Sequence, residues 1–384
     1  VSGSRKADGI GQVNHGRLDA ASVGAISLNA IGTKAFLAYP AIMAKSAQTA
    51  AWIVPLASAI LSFFWLAPLV YVLKKHPGKN FIEITQKLAG KPVAVILGAA
   101  LYVFNFGIVA TSSREIAEAL ATVILPLTPL SFTLAALSVT GLYVALKGTE
   151  VLGRLSLVTA AANIINIGFL SLLSYDAWSI SRIQPLLGPG LPELAKTCVI
   201  RQVMYGEILS LGILAPYVRK TSDLGKTAVV SGALPALMLT LTVLSCLMMF
   251  PYPSLSEVPV PFLRVIRLVY LGRFFHRFDV FFVILWLSAG SLLIAAGSSI
   301  NSQIAGTLWP KISYPAAVLA TGGAAMVAAL LIPSKAAAII LEFDIIRPYS
   351  IVLLYGWPVL LLILEFIRGK RRKPEGDLGD QAGA

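Results

Sequence analysis

Apolar runs of about 20 residues, the length that carries a helix across a bilayer core, recur along the whole chain between charged or Pro/Gly-rich breaks. They predict ten transmembrane helices, near 18–43, 50–73, 93–123, 130–147, 153–175, 196–217, 225–250, 278–308, 312–333 and 348–368. Residues 1–17 and 369–384 are polar, and are expected to be a cytoplasmic N-terminal segment and a disordered cytoplasmic tail. No apolar h-region of a cleavable signal peptide is visible in the first 17 residues. The stretch 260–274 (PFLRVIRLVYLGRFF lies over it) is amphipathic and basic, which predicts a helix lying along the membrane interface.

Ten spans divide into two sets of five, and an odd number of crossings orients the sets oppositely. The first repeat is then 18–175, an external loop follows at 176–195, and the second repeat is 196–368. The third and eighth spans are the longest and take equivalent places in the halves. Each turns polar late, with TSSREIAE at 111–118 and SSINSQ at 298–303. The first and sixth spans correspond as well. Each carries a helix-breaking polar patch, IGTKAF around Gly32 and MYGEIL around Gly206. Interrupted segments at matching positions of inverted halves point to the substrate site of secondary transporters. A broken helix offers free N–H groups to an anion and free carbonyls to a cation. The candidate ligand site is therefore Gly32, Thr33, Lys34 and Ala35 with Tyr205, Gly206 and Glu207. Glycine alone reads equally as a close helix-packing position; glycine beside an ionisable residue in both spans favours a site.

Composition narrows the class. Of 384 residues, 57% are hydrophobic and 13% charged, and mean hydropathy is +0.80. Soluble domains carry about 25% charged residues, so soluble enzymes, disordered proteins and disulfide scaffolds are excluded. The net charge of +13 needs no nucleic acid, because cytoplasmic loops of membrane proteins collect Lys and Arg. With both termini inside, nineteen of the 31 basic residues fall on the cytoplasmic side. Nine fall outside, Lys335 and Arg347 among them, and Lys34, Arg114 and Arg201 stay within spans. Cys198 and Cys246 read as packing residues, and His15, His76 and His276 form no metal-ligand pattern. No metal or other cofactor is expected. No cluster of His, Asp or Glu at one membrane face suggests an enzyme.

Several segments carry a family resemblance: GTKAFLAYPA at 32–41, HPGKNFIEITQKLAGK at 76–91, LKGTEVLGRLS at 146–156, IQPLLGPGLPEL at 183–194 and GRFFHRFDVFFVILW at 272–286. By their order and spacing the sequence resembles the B-subunit family of GerA-type spore germination receptors. That family lies within the amino acid–polyamine–organocation transporter superfamily. The resemblance spans roughly 17–366 and implies an all-α membrane protein with a LeuT-like 5+5 inverted repeat and broken helices 1 and 6. It also implies a place in the spore inner membrane, A and C (lipoprotein) partner subunits, and small germinants, often amino acids. Lys34 departs from the uncharged residue expected after Gly32-Thr33.

An ionised lysine at mid-membrane costs about 2.5–3.5 kcal/mol on insertion scales, so Lys34 needs a counter-charge, water or deprotonation. It can pair with Glu207, replace a coupling cation, bind a germinant carboxylate, or snorkel outward. Glu207 can bind an ammonium group, carry a proton, or pair with Lys34 or Arg201 for packing alone. Tyr205 can offer a hydroxyl or an aromatic wall for a cation. Arg114 and Glu118, an i,i+4 pair on one helix face, join Asn163 and Asn301 as a candidate ion or gating path; Glu115 shares the same polar turn, which reads more readily as a solvated helix end near the outer side. Asn166, Ser298, Ser299 and Gln303 read as cavity or helix-to-helix groups. Asp279 reads as a cap of the eighth span, and Trp286 as a packing aromatic. The function expected is a germinant-sensing subunit, with an amino acid permease coupled to protons or cations and acting alone as the alternative. An ion channel would use the same residues.

Overall fold

A computed structural model describes residues 18–268 and 279–371. The expected segments 1–17 and 372–384, and the part of 260–274 beyond Leu268, lie outside the described residues. Among these, eight helices are long and apolar enough to cross a membrane, and a bent pair makes a ninth. Leu130–Leu146, a shorter apolar helix, stands in the fourth place. The protein is an all-α membrane protein, and its spans follow the sequence pattern closely. Spans 2 to 5 are Ile53–Lys75, Lys91–Val123, Leu130–Leu146 and Thr149–Leu173. Spans 7 to 9 are Leu224–Met249, Asp279–Leu308 and Tyr314–Leu331.

Spans 1 and 6 are broken where the sequence is polar. Span 1 runs over Ala20–Gly32, tightens to a 3₁₀ turn at Thr33–Phe36, and resumes as Tyr39–Ala47. Leu37, between the pieces, is extended, and the span is bent by 71°. Span 6 runs over Leu191–Arg201, then a 3₁₀ stretch at Gln202–Leu209, then Ser210–Leu214. Gly206 is required there by a close approach: a Cβ on it would lie 2.5 Å from Leu354 Cδ1.

Span 8 packs against spans 3, 4, 5 and 9, and span 7 against spans 1, 2 and 5. The first half of span 1 sits among spans 5, 7 and 8. Large apolar side chains such as Phe64 and Val352 point outward, fully exposed; this is the surface a bilayer covers. Each half also places a short helix between its second and third spans. In the first half it is Phe81–Ala89, started by a capping box in which Glu83 N–H donates to Asn80 Oδ1 (2.8 Å) and Asn80 N–H donates to Glu83 Oε2 (2.7 Å). In the second half it is Pro261–Arg267, whose Phe262, Leu263, Val265 and Ile266 are buried against protein. Its apolar face is turned toward spans 1, 7 and 8.

Span 10 is where the structure departs from the sequence reading. In place of a span at 348–368 behind an outer loop, one apolar element covers Lys335–Arg368. Two π-helical segments, Leu341–Ile346 and Val352–Gly356, lie within it, and such bulges cluster at functional sites. Glu342, Asp344, Arg347 and Pro348 together look like a loop to any hydropathy reading. Arg347, expected outside, is fully buried.

The chain's described ends share one end of the molecule. Leu18 N–H donates to Tyr217 O (2.7 Å), and Arg219 N–H donates to Leu18 O (3.0 Å). At the same end Arg368 donates to Lys87 O, and Glu365 meets Lys75 and His76.

Candidate functional site

The broken segments of spans 1 and 6 face one another, and their ionisable residues meet. Lys34 Nζ donates to Met204 O at 2.6 Å and to Glu207 Oε1 at 2.9 Å. Both acceptors belong to the 3₁₀ stretch of span 6, so the two breaks are tied by one ammonium group. Of the roles open to Lys34, the ion pair with Glu207 is present.

A second cation shares that carboxylate oxygen. Arg347 Nη2 donates to Glu207 Oε1 at 2.7 Å and to Glu342 Oε1 at 2.8 Å. Arg347 Nε adds a 3.0 Å bond to Glu342 Oε1, and Nη1 a 3.3 Å bond to Val203 O. Glu342 Oε2 accepts from Thr111 Oγ1 (2.7 Å) and Ser112 Oγ (3.0 Å) of span 3. Two cations and two carboxylates thus form one buried cluster linking spans 1, 3, 6 and 10. Sequence reasoning missed Glu342 and Arg347, for the reason given above. The sequence carried no separate signal for them: an acid and a base five residues apart beside Asp344 and Pro348 look like a polar loop.

A cavity of about 40 Å³ lies beside the cluster, between spans 1, 3, 6 and 8. That volume holds a few water molecules. Glu207 lines it, and Glu207 Oε2 is buried without a hydrogen-bond partner among the described residues. A buried carboxylate oxygen left unpaired is costly, and this one belongs to a side chain on the cavity wall. Ser27 and Ser210 line the wall and share a hydrogen bond at 3.1 Å. Ile26, Phe104, Val109 and Ile300 supply apolar surface.

The expected ligand residues divide on this geometry. Gly206 and Glu207 line the cavity, whereas span 1 contributes Ile26, Ser27 and Ala30, one turn before Gly32. Thr33 is tied to Asn29 O (2.6 Å), and Ala35 is fully buried. Gly32 stands near Met238, with room for a Cβ at ordinary contact distance. Tyr205 turns away, its hydroxyl donating to Pro55 O of span 2 at 2.7 Å.

The candidate gating residues lie in three places. Arg114 and Glu118 form the i,i+4 pair at 2.9 Å, and Arg114 also reaches Pro333 O (3.0 Å), holding the turn before span 10. Glu115 accepts from Ala38 N–H at 2.9 Å, a buried bond at the restart of span 1. Asn301 Oδ1 accepts from Asn105 Nδ2 at 2.9 Å, joining span 8 to the cavity wall of span 3. Asn163 is buried in span 5 with its Oδ1 unpartnered among the described residues. Trp286 is fully buried, its ring tilted at 46° to that of Phe282. Among the described residues no group of three or more His, Cys, Asp or Glu is placed to hold a metal ion.

A wider cavity of about 330 Å³ opens at the end that carries Leu18 and Arg368. Asn80, Glu83, Gln303 and Thr307 give it a polar lining. Ile213 and Gln303 on its wall follow Ser210 and Ile300 of the central cavity by three residues, about one helical turn.

Comparison with known proteins fits this arrangement. A family model described as spore germination protein matches residues 22–335. Spore germination protein A2 of Bacillus subtilis (strain 168) is 20% identical over 248 residues, covering 64% of this chain and 68% of that protein. Spore germination protein KB of the same organism is 24% identical over 246 residues, covering 62% and 65%. The chain thus spans about two thirds of the length of these relatives. Among solved structures, the nucleobase-cation-symport-1 family transporter Mhp1, closed with bromovinylhydantoin bound, superposes with a TM-score of 0.66 at 14% identity. That match covers 94% of this chain and 93% of Mhp1. MhsT in complex with L-phenylalanine gives 0.63 at 14% identity, covering 89% and 95%. A substrate-bound, outward-open Na⁺-coupled sialic acid symporter gives 0.65 at 13%, covering 92% and 80%. The fold is therefore the LeuT-like 5+5 inverted repeat.

Proposed function

Because the chain belongs to the spore germination protein family, we propose that it is the germinant-sensing membrane subunit of a spore germination receptor. A small germinant, an amino acid, occupies the cavity between the broken first and sixth spans in a conformation wider than this closed one, whose cavity holds only a few waters. Its ammonium group docks on Glu207 Oε2. That oxygen carries the reading: it is buried without a hydrogen-bond partner among the described residues, on a side chain that lines the cavity. Docking draws Glu207 away from Lys34 of span 1 and from Arg347, which connects it to span 10. The ligand shifts the balance of two conformations by as much as it prefers one of them. The shift passes to A and C (lipoprotein) partner subunits in the spore inner membrane, or opens an ion path.

Glu207→Gln keeps the shape of the side chain and removes the charge. The expected result is loss of amino acid binding by at least tenfold, with the protein still inserted in the membrane; unchanged binding would remove the site from this cavity. A permease acting alone, coupled to protons or cations, is the second reading. It is favoured by the wide polar vestibule one turn from the central cavity. Uptake of a labelled amino acid by proteoliposomes holding this chain alone separates the two.

A further inference from the structure

The charged groups in the membrane core cancel. Lys34 and Arg347 are two cations, Glu207 and Glu342 two carboxylates, and the four are joined by contacts of 2.9, 2.7 and 2.8 Å. The charges around them also come in opposite pairs. Arg114 meets Glu118 at 2.9 Å and Arg201 meets Asp344 at 3.9 Å, while Glu115 lies within the field of Lys335. The cavity therefore offers a carboxylate oxygen in surroundings that already carry no net charge.

This has a consequence for what can be bound. An ammonium group satisfies Glu207 Oε2, but an amine brings an uncompensated positive charge into a low-dielectric site next to two fixed cations. A zwitterion brings its own negative charge. The wall supplies a donor for it: Ser27 and Ser210 share one hydrogen bond, which uses one of their two hydroxyl hydrogens and leaves the other free. Asn105 cannot serve, because its amide group already donates to Gly297 O and Asn301 Oδ1, both at 2.9 Å.

We propose that the buried cluster is a net-charge filter. It admits solutes that carry an ammonium group and are neutral overall, it rejects the corresponding amines and carboxylic acids, and Lys34 is the residue that sets the filter. Lys34 does not line the cavity; it acts through Glu207, by bringing the cluster to zero. Without it the cluster is left one charge negative and becomes a site for cations. The proposal rests on the reading of this cavity as a small-solute site, and its test separates the two.

The test uses the full chain in lipid nanodiscs, titrated with matched probes. L-Alanine, L-valine and L-leucine are each compared with the amine left by decarboxylation, ethylamine, isobutylamine and isoamylamine, and with the deaminated acid. The wild-type protein is expected to bind an amino acid roughly 100-fold more tightly than its amine, the scale of an unpaired charge in the membrane core. Lys34→Met is expected to improve the amine-to-amino-acid affinity ratio at least tenfold. Glu342→Gln, outside the cavity, is expected to move the preference toward the deaminated acid, a change that simple loss of packing would not give. It decides the matter should Lys34→Met fail to fold. Amines that bind the wild-type protein as tightly as amino acids, or ratios left unmoved by both substitutions, would overturn the filter while leaving the solute site standing. Binding of none of the probes would overturn the solute site and the filter together.

Discussion

Arg347 holds the least replaceable position in the site. It is fully buried and touches both carboxylates of the cluster. Replacing it with Met strands Glu342 without its cation, and removing one partner of a buried pair costs about 3–5 kcal/mol. Arg347→Met with Glu342→Gln leaves Lys34 and Glu207 paired, so most of that loss is expected to return. Thermal unfolding in detergent checks this, and a double variant no more stable than the single one contradicts it. The two glycines of the breaks respond differently. Gly32→Ala meets Met238 at ordinary distance and is expected to be mild, whereas Gly206→Ala drives a methyl group against Leu354 and is expected to weaken ligand binding several-fold. Of the charged cluster, half was legible in the sequence. Lys34 and Glu207 stand out because each interrupts an apolar run beside a glycine. Glu342 and Arg347 sit with Asp344 and Pro348, and four such residues within seven look like a loop whatever their burial.

At the scale of elements, the central cavity is bounded by pieces that need not move together. Ser27 belongs to the first half of span 1 and Ser210 to the segment after the break in span 6; their hydroxyls touch at 3.1 Å. A Ser27→Cys/Ser210→Cys pair is placed to form a disulfide that ties these pieces. Oxidation is expected to abolish the ligand response and reduction to restore it, with Cys198 and Cys246 buried and apart; an undiminished response in the oxidised protein would mean that the pieces do not separate. Span 10 is the other element with reach. Its middle holds Arg347, and beyond the second π segment Trp357 Nε1 donates to Thr85 of the short helix Phe81–Ala89 at 2.8 Å. Most elements were legible because burial in lipid demands the same apolar length wherever a span lies. The breaks at Thr33 and Gln202 were legible from glycine and charge together. The π segments were not, since their irregularity is imposed by partners on spans 3 and 6 that are distant in sequence.

At the scale of the whole molecule, a polar cavity marks one of the two ends. The wide vestibule lies at the end of Leu18 and Arg368, while the central cavity admits only a few waters. The excess of basic residues in the loops at the vestibule end is the ground on which we propose that this end faces the cytoplasm. In intact cells a cysteine at Leu127, an exposed loop residue at the opposite end, is expected to react with a membrane-impermeant maleimide. A cysteine at Lys79 is expected to react only after permeabilisation. The reverse pattern would invert the orientation. The small strand-like bridge between Leu18 and Val218 lies on the rim of this vestibule, for the neighbouring Tyr217 is part of its wall. Those two backbone hydrogen bonds belong to no helix, yet they join the start of span 1 to the end of span 6. Widening the rim must stretch them. Hydrogen–deuterium exchange at Leu18 and Arg219 then times the opening of the vestibule mouth, a clock readable without any label or any knowledge of the ligand.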